Sequence, residues 1–294
     1  MLPDQELQWL VSLFDDQDEE VRECVDRRVL SMGPDVIHGL DAVRRRLSSP
    51  REKAAVLARM RHYNTLFKLD DIESFARKGR ESELSLFEGS WLICSMLDMK
   101  LSRMEYETQF YQCAAEYMSE ASDDRTAVEN ARIFSHIFYH RLHFYACDTL
   151  VSDERHALLP EILRSRRGNP IALAFLYFAF AQEAGLPIRP VCFPGGFVPA
   201  YVENGKVLFY LNIYHNGEIF LEDKLREFVS RQGVEVDWTQ VRLREVSVLI
   251  VIYLESLLYI YSSRGDERLA SVIEKALDCF GDERFLAIDQ EQED

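Results

Sequence analysis

The chain has 294 residues, room for one large domain or two to three small ones, and its 47% hydrophobic content, with 18 Phe and 13 Tyr, is that of a packed globular protein. A formal net charge of −16 repels nucleic acid and anionic membrane surfaces over most of the molecule. The short basic clusters Arg44-Arg45-Arg46 and Arg164, Arg166, Arg167 read as solvated helix faces. Six scattered cysteines without a CxxC pair give neither a disulfide framework nor a zinc ribbon. The opening residues, Met1 to Glu6, lack the basic and apolar regions of a secretion signal. The longest apolar stretch, Val246 to Tyr261, holds Glu255 and is shorter than the about 20 residues a bilayer span needs. A cytoplasmic protein with no membrane span and no nucleic-acid partner is expected.

In chain order, residues 5 to 47 read as a leucine-rich helix, an Asp turn, a valine helix, a Gly-Pro stop and a further helix. That is the pattern of one HEAT-like unit. Residues 51 to 160 are mostly helical, with buried helices predicted at Ser85 to Leu92 and at Asn130 to Tyr145. Asn169-Pro170 opens a helix, with Asn as cap and Pro at the first helical position. From Ile171 to Glu183 that helix is apolar nearly all round, as a helix buried on every side must be. Gly185 and Pro187 end it. Strands are predicted at Ile188 to Phe193, Phe197 to Val202 and Val207 to Ile213, with Asn204-Gly205 as the hairpin turn. Residues 223 to 283 return to helix, and Val246 to Tyr261 with Glu267 to Phe280 form a hairpin of tetratricopeptide type. No Gly-rich phosphate loop is present, since Gly195-Gly196 leads into a strand, and no cofactor is called for.

Three runs carry a resemblance. They are Arg167-Gly168-Asn169-Pro170-Ile171-Ala172-Leu173-Ala174 with Ala184-Gly185-Leu186-Pro187-Ile188, then Phe193-Pro194-Gly195-Gly196-Phe197, then Phe209-Tyr210-Leu211-Asn212-Ile213-Tyr214. In this order and spacing they resemble the transglutaminase-like, papain-like core of a bacterial family of Sir-B-type regulators with a tetratricopeptide-like C-terminus. Glu88-Gly89 and Ser135-His136 in the helical run-up fit the same family.

The resemblance implies an α+β fold. A HEAT-like segment (1–47) and a helical part (48–160) precede the central buried helix and antiparallel sheet (161–222), and C-terminal helices follow (223–294). In active relatives it implies a Cys at the N-terminus of the central helix, a His on the next strand and an Asp on the strand after. The helix terminus and the imidazole stabilise the thiolate, and the acid orients the imidazole. In this chain the nucleophile position is Pro170, the His position Gly196 and the acid position Asn212. Losing one such group generally costs several orders of magnitude in rate. A non-catalytic scaffold that binds a protein partner is therefore expected, with a cleft drawn from Asn169, Pro170, Cys192, Gly195, Gly196, Asn212 and Tyr214.

Two other constellations are open. Cys192 could serve a cysteine hydrolase or acyltransferase with His215 or His136 as base, although its strand setting between Val191 and Phe193 favours burial. His136, His140 and His143 fall at i, i+4 and i+7, which would place them on one helical face. Metal binding would then need a further ligand, and no HExxH accompanies them.

Overall fold

The computed structural model describes residues 4–79, 81–120, 122, 124–147, 154–193, 196–231, 238 and 241–286. These form two compact units: residues 1–72 with 95–100, and residues 73–94 with 101–294.

The first unit is helical. It contains α1 (Asp4–Ser12), α2 (Glu19–Ser31), α3 (Val36–Arg46) and most of α4 (Pro50–Lys78). The Asp18 carboxylate accepts the Glu20 N–H at 2.9 Å and caps α2, with Glu19 and Glu20 against the positive end of the helix. Gly33, at φ +77°, turns the chain where Gly-Pro was read as a stop. Leu7, Leu10, Val25, Val29, Leu40 and Met60 bury one face each of the four helices into a common core. Beside it Asp26 accepts the Tyr63 hydroxyl and pairs with Arg59 at 3.1 Å.

The second unit is organised around α9 (Pro170–Glu183), and Ile171 through Ala181 are all buried. Its rings meet partners on different sides. Tyr177 contacts Phe134 of α7 (Ala127–His136) at 4.8 Å between centroids, and Phe180 contacts Phe110 of α6 (Arg103–Met118) at 4.9 Å. Phe175 meets Tyr253 of α11 (Val248–Ser263) at 5.1 Å. Phe178 meets Phe197 of the sheet at 6.2 Å. An all-apolar helix is stable here because no side of it faces water. The Asn169 side chain accepts the Ala172 N–H at 2.8 Å at its start, and at its end Gly185 adopts φ +68° while the Leu186 N–H donates to Ala181. Gly89 of α5 (Leu86–Leu97) allows close approach to α11, since a Cβ there would lie 2.8 Å from Ile250.

The sheet has the order β6-β5-β4-β3-β7, antiparallel throughout. Its strands are β3 (Ile188–Phe193), β4 (Gly196–Glu203), β5 (Lys206–Asn212), β6 (Glu218–Phe220) and β7 (Arg242–Leu243). The three longer strands match the sequence reading within a residue or so. Asn204 and Gly205, at φ +52° and +72°, form the two-residue turn expected between β4 and β5. Val198, Ala200 and Val202 pack with Leu225 of α10 (Glu222–Arg231) on one face.

Two expectations need correction. The helix predicted from Asn130 to Tyr145 starts earlier, at Ala127, because Thr126 and Glu129 form a capping box. It then widens into a π-helical turn over Ile137–Arg141, with the Leu142 N–H bonded to Ile137. Tyr145 lies instead in a short strand, β1 (Tyr145–Ala146), parallel to β2 (Arg167–Gly168). Residues 223 to 283 are also not helical throughout: β7 intervenes, held across β3 by Cys192↔Arg242 and Val191↔Leu243. After it comes α11, followed by α12 (Glu267–Asp278). Gly265 sits at φ +70°, and Asp266 caps the second helix through the Leu269 N–H at 3.1 Å. α8 (Leu159–Ser165) completes the set of described helices and ends at Arg166 in a left-handed conformation. No described helix is long and apolar enough to cross a membrane.

Candidate functional site

The three positions proposed for a catalytic triad lie at the ends of their elements. Pro170 is the first residue of α9, Gly196 the first of β4 and Asn212 the last of β5. Pro170 fits its place because the N–H it lacks has no helical partner at that position. Asn169 before it is fully buried. Its carbonyl oxygen caps the helix, while its Nδ2 has no hydrogen-bond partner among the described residues.

Gly196 stands opposite Phe193 in the β3–β4 ladder. A Cβ built at 196 would lie 3.0 Å from Phe193 Cε2 and 3.2 Å from Cζ, so a side chain here would ask the phenyl ring to give by a few tenths of an ångström. An imidazole there would require the ring to move. Asn212 is engaged locally: its Oδ1 accepts the Tyr214 N–H at 3.1 Å and caps the short turn Ile213–His215. That turn is tethered by the Tyr139 hydroxyl, which donates to the Ile213 carbonyl at 2.7 Å, and by Gly217, where any side chain would collide with Ser135. Ser135 shares a hydrogen bond of 2.9 Å with the buried Tyr177 hydroxyl, whose pKa burial raises. Ser135 therefore holds the turn in place.

A family model described as the transglutaminase-like superfamily matches residues 104–253, just over half of the 294 residues. The chain belongs to the transglutaminase-like superfamily. It is similar to a UPF0162 protein of Vibrio cholerae serotype O1, 29% identical over 103 residues, covering 34% of this chain and 38% of that protein. It is similar as well to a UPF0162 protein of Xylella fastidiosa, 33% identical over 78 residues, covering 26% of this chain and 27% of the other. The matched stretch thus spans well under half the length of these relatives. No solved structure matches the chain.

Within this transglutaminase-like unit the candidate cleft residues do not gather in one place. Asn212 and Tyr214 border an apolar cavity of about 320 Å³, walled by Phe197, Leu211, Phe220 and Leu225 with Glu218 and Lys224 at its edge. Cys192 borders a different cavity, beside Arg242 and Arg244. Gly195 lies outside the described residues. Cys192 itself is 7% exposed, and burial pushes its thiol up to about 12, with Arg244 opposing the shift. A thiol so placed is almost wholly protonated at neutral pH and is a poor nucleophile.

The three histidines do not share a helical face. His136 and His140 are exposed and neighbouring, with ring centroids 5.2 Å apart. His143 follows the π-helical turn, at φ +59°, and its Nδ1 faces the Tyr145 hydroxyl at 3.3 Å. The i, i+4, i+7 pattern assumed a continuous α-helix, and the wide turn breaks that spacing. No group of three metal-ligating side chains occurs among the described residues.

Sequence reasoning missed the arginines of the second cavity. Arg242 lies in a two-residue strand too short to show periodicity, Arg244 just past its end, and Arg284 is 40 residues further on.

Proposed function

We propose that this chain is a non-catalytic member of its superfamily, a pseudoenzyme of the Sir-B-type kind that binds a protein partner. The observation that supports the reading is at Gly196, which has no imidazole and where even a Cβ would lie 3.0 Å from the Phe193 ring. Pro170 brings no nucleophile, and the Asn212 oxygen is already committed to the Tyr214 N–H. The partner would meet the cavity beside Asn212, presenting an extended apolar segment. Two features support this: the cavity is walled by Phe197, Leu211, Phe220 and Leu225, and β6 is an edge strand whose outer side can accept a further strand. Helical pairs such as α11 with α12, tetratricopeptide-like in order, fit a scaffold role by fold-level analogy.

Two measurements test the reading. Native protein treated with iodoacetamide at neutral pH and read by mass spectrometry should leave Cys192 unlabelled, and peptide amides should not be hydrolysed or transferred to amines. Turnover abolished by Cys192→Ala would establish a cysteine enzyme with a rearranged site instead. For the binding half, a Tyr214→Ser/Lys224→Glu variant should lose a protein that the parent retains in affinity capture. Equal retention by both would exclude this cavity as the docking site.

A further inference from the structure

We propose that the cavity between β7, the end of β3 and the segment after α12 binds a small phosphomonoester. It measures about 570 Å³, within the range of small-molecule sites. Arg242 of β7 and Arg244, the first residue past its end, both line this cavity. Arg242 stands directly across the ladder from Cys192, which puts both side chains on one face of the sheet. The segment after α12 brings Arg284 and Phe285 to the same cavity.

The platform is fixed from below. The Glu255 carboxylate of α11, only 6% exposed, accepts the Phe285 N–H at 2.9 Å and the Leu286 N–H at 2.8 Å. The Arg244 N–H donates to the Pro190 carbonyl at 2.9 Å, and its guanidinium lies 5.2 Å from the Phe285 ring centroid. Three arginines therefore line one cavity in a chain whose net charge is −16, and Arg284 is held there by its bond to the Gly281 carbonyl at 2.7 Å. Arginines elsewhere in the second unit are typically paired, as Arg189 is with Glu83 and Arg264 with Glu154. Arg242 is exposed and makes no ion pair or hydrogen bond among the described residues.

The lining fits a doubly charged anion. Glu283 is the one carboxylate at the cavity among the described residues, and Cys192 stays a neutral thiol. Arg244 is paired with Glu283 and Arg284 with Asp278 at 4.0 Å, both exposed carboxylates, while Arg242 has no partner among the described residues. A phosphomonoester, carrying about −1.5 to −2 at pH 7, can meet Arg242 and compete for the other two, and so neutralises more of the three than a monocarboxylate does. Guanidiniums meet phosphate oxygens in bidentate fashion. Glu283 holds Arg244 meanwhile, but its side chain is 61% exposed, and so wet an ion pair is readily exchanged. The Phe285 ring, beside Arg244, offers an apolar surface for the body of the ligand. The net charge of −16 disfavours a long polyanion.

Calorimetric titration of the full chain with phenyl phosphate at low ionic strength tests this. Phenyl phosphate should bind tighter than inorganic phosphate, and both tighter than benzoate, with affinity falling as salt rises. Arg242→Gln should weaken phenyl phosphate by about tenfold or more, the scale of one lost charged hydrogen bond, without shifting the thermal melt. Glu283→Gln should tighten it, because a competing carboxylate is gone. Absence of binding, or indifference to both substitutions, would overturn the proposal. A phosphoserine peptide binding tighter than phenyl phosphate would assign the site to a modified protein and overturn the small-molecule reading.

Discussion

Helices α9 and α11 are both apolar nearly all round and both buried along most of their length, yet they handle polarity in different ways. α9 keeps its buried stretch free of charge: its polar groups are the Asn169 cap, the Tyr177 hydroxyl shared with Ser135, and Gln182, which bonds Leu86 and Leu84. α11 carries a carboxylate, Glu255, in its buried stretch and uses it to hold the backbone of a segment outside any helix or strand. A buried charge is tolerated where backbone N–H groups converge on it and would themselves be unpaired without it. One helix is a packing hub; the other packs and also anchors.

The largest effect should come from α9. Phe178 is fully buried against Phe197, and Phe178→Ala should cost about 3–5 kcal/mol in denaturant unfolding. A variant melting with the parent would remove α9 from the centre of the core.

Next is the anchor. Glu255→Ala leaves the Phe285 and Leu286 N–H groups without their acceptor and should cost about 1–3 kcal/mol, with new proteolytic cutting near residues 279–286. Cutting unchanged from the parent would mean the carboxylate holds nothing.

The same group gives α11 a pH signature that α9 lacks. Burial raises the Glu255 pKa above its ordinary value of 4.5, while the Leu286 and Phe285 N–H groups oppose the shift. The folded state therefore holds its proton to higher pH than the unfolded chain does. The associated stability is fully present below the unfolded value and is lost as pH rises through the folded one. Urea melts from pH 4 upward should show this loss in the parent, and Glu255→Gln should flatten it.

The smallest effect separates the two helix starts. Asn169 caps α9 through its side chain, whereas Ser247 makes no side-chain cap bond to α11. Asn169→Ala should cost about 1 kcal/mol and Ser247→Ala less than about 0.5 kcal/mol. Equal losses would erase the distinction.

What was legible in the sequence follows from range. Asn169-Pro170, the apolar run behind it, Gly185 and Asn204-Gly205 are local signals, and each sits where it was read. The strands β6 and β7 were not legible, because three and two residues show no period and their pairing depends on partners far along the chain. The motif proposes Pro170, Gly196 and Asn212 as the triad positions. That Phe193 crowds Gly196, and that Asn212 caps the following turn, are facts of packing with no counterpart in the motif. The histidine face failed because a spacing rule for α-helix was applied across a π-helical turn.

That turn bears on how this region tolerates a change in length. An ordinary α-helix advances about 100° per residue, so a single deletion rotates everything beyond it out of phase. Residues Ile137–Arg141 carry one residue more than an α-turn requires, which lets Ile137, Phe138 and Tyr139 all face inward in succession. The surplus is slack in the chain. Loss of the exposed His140 would draw the turn toward ordinary α geometry, sparing the capping box at Thr126 and the packing of Phe134 on Tyr177 upstream. A deletion within α7 has no such reserve and would carry Phe134 and Ser135 away from Tyr177 together.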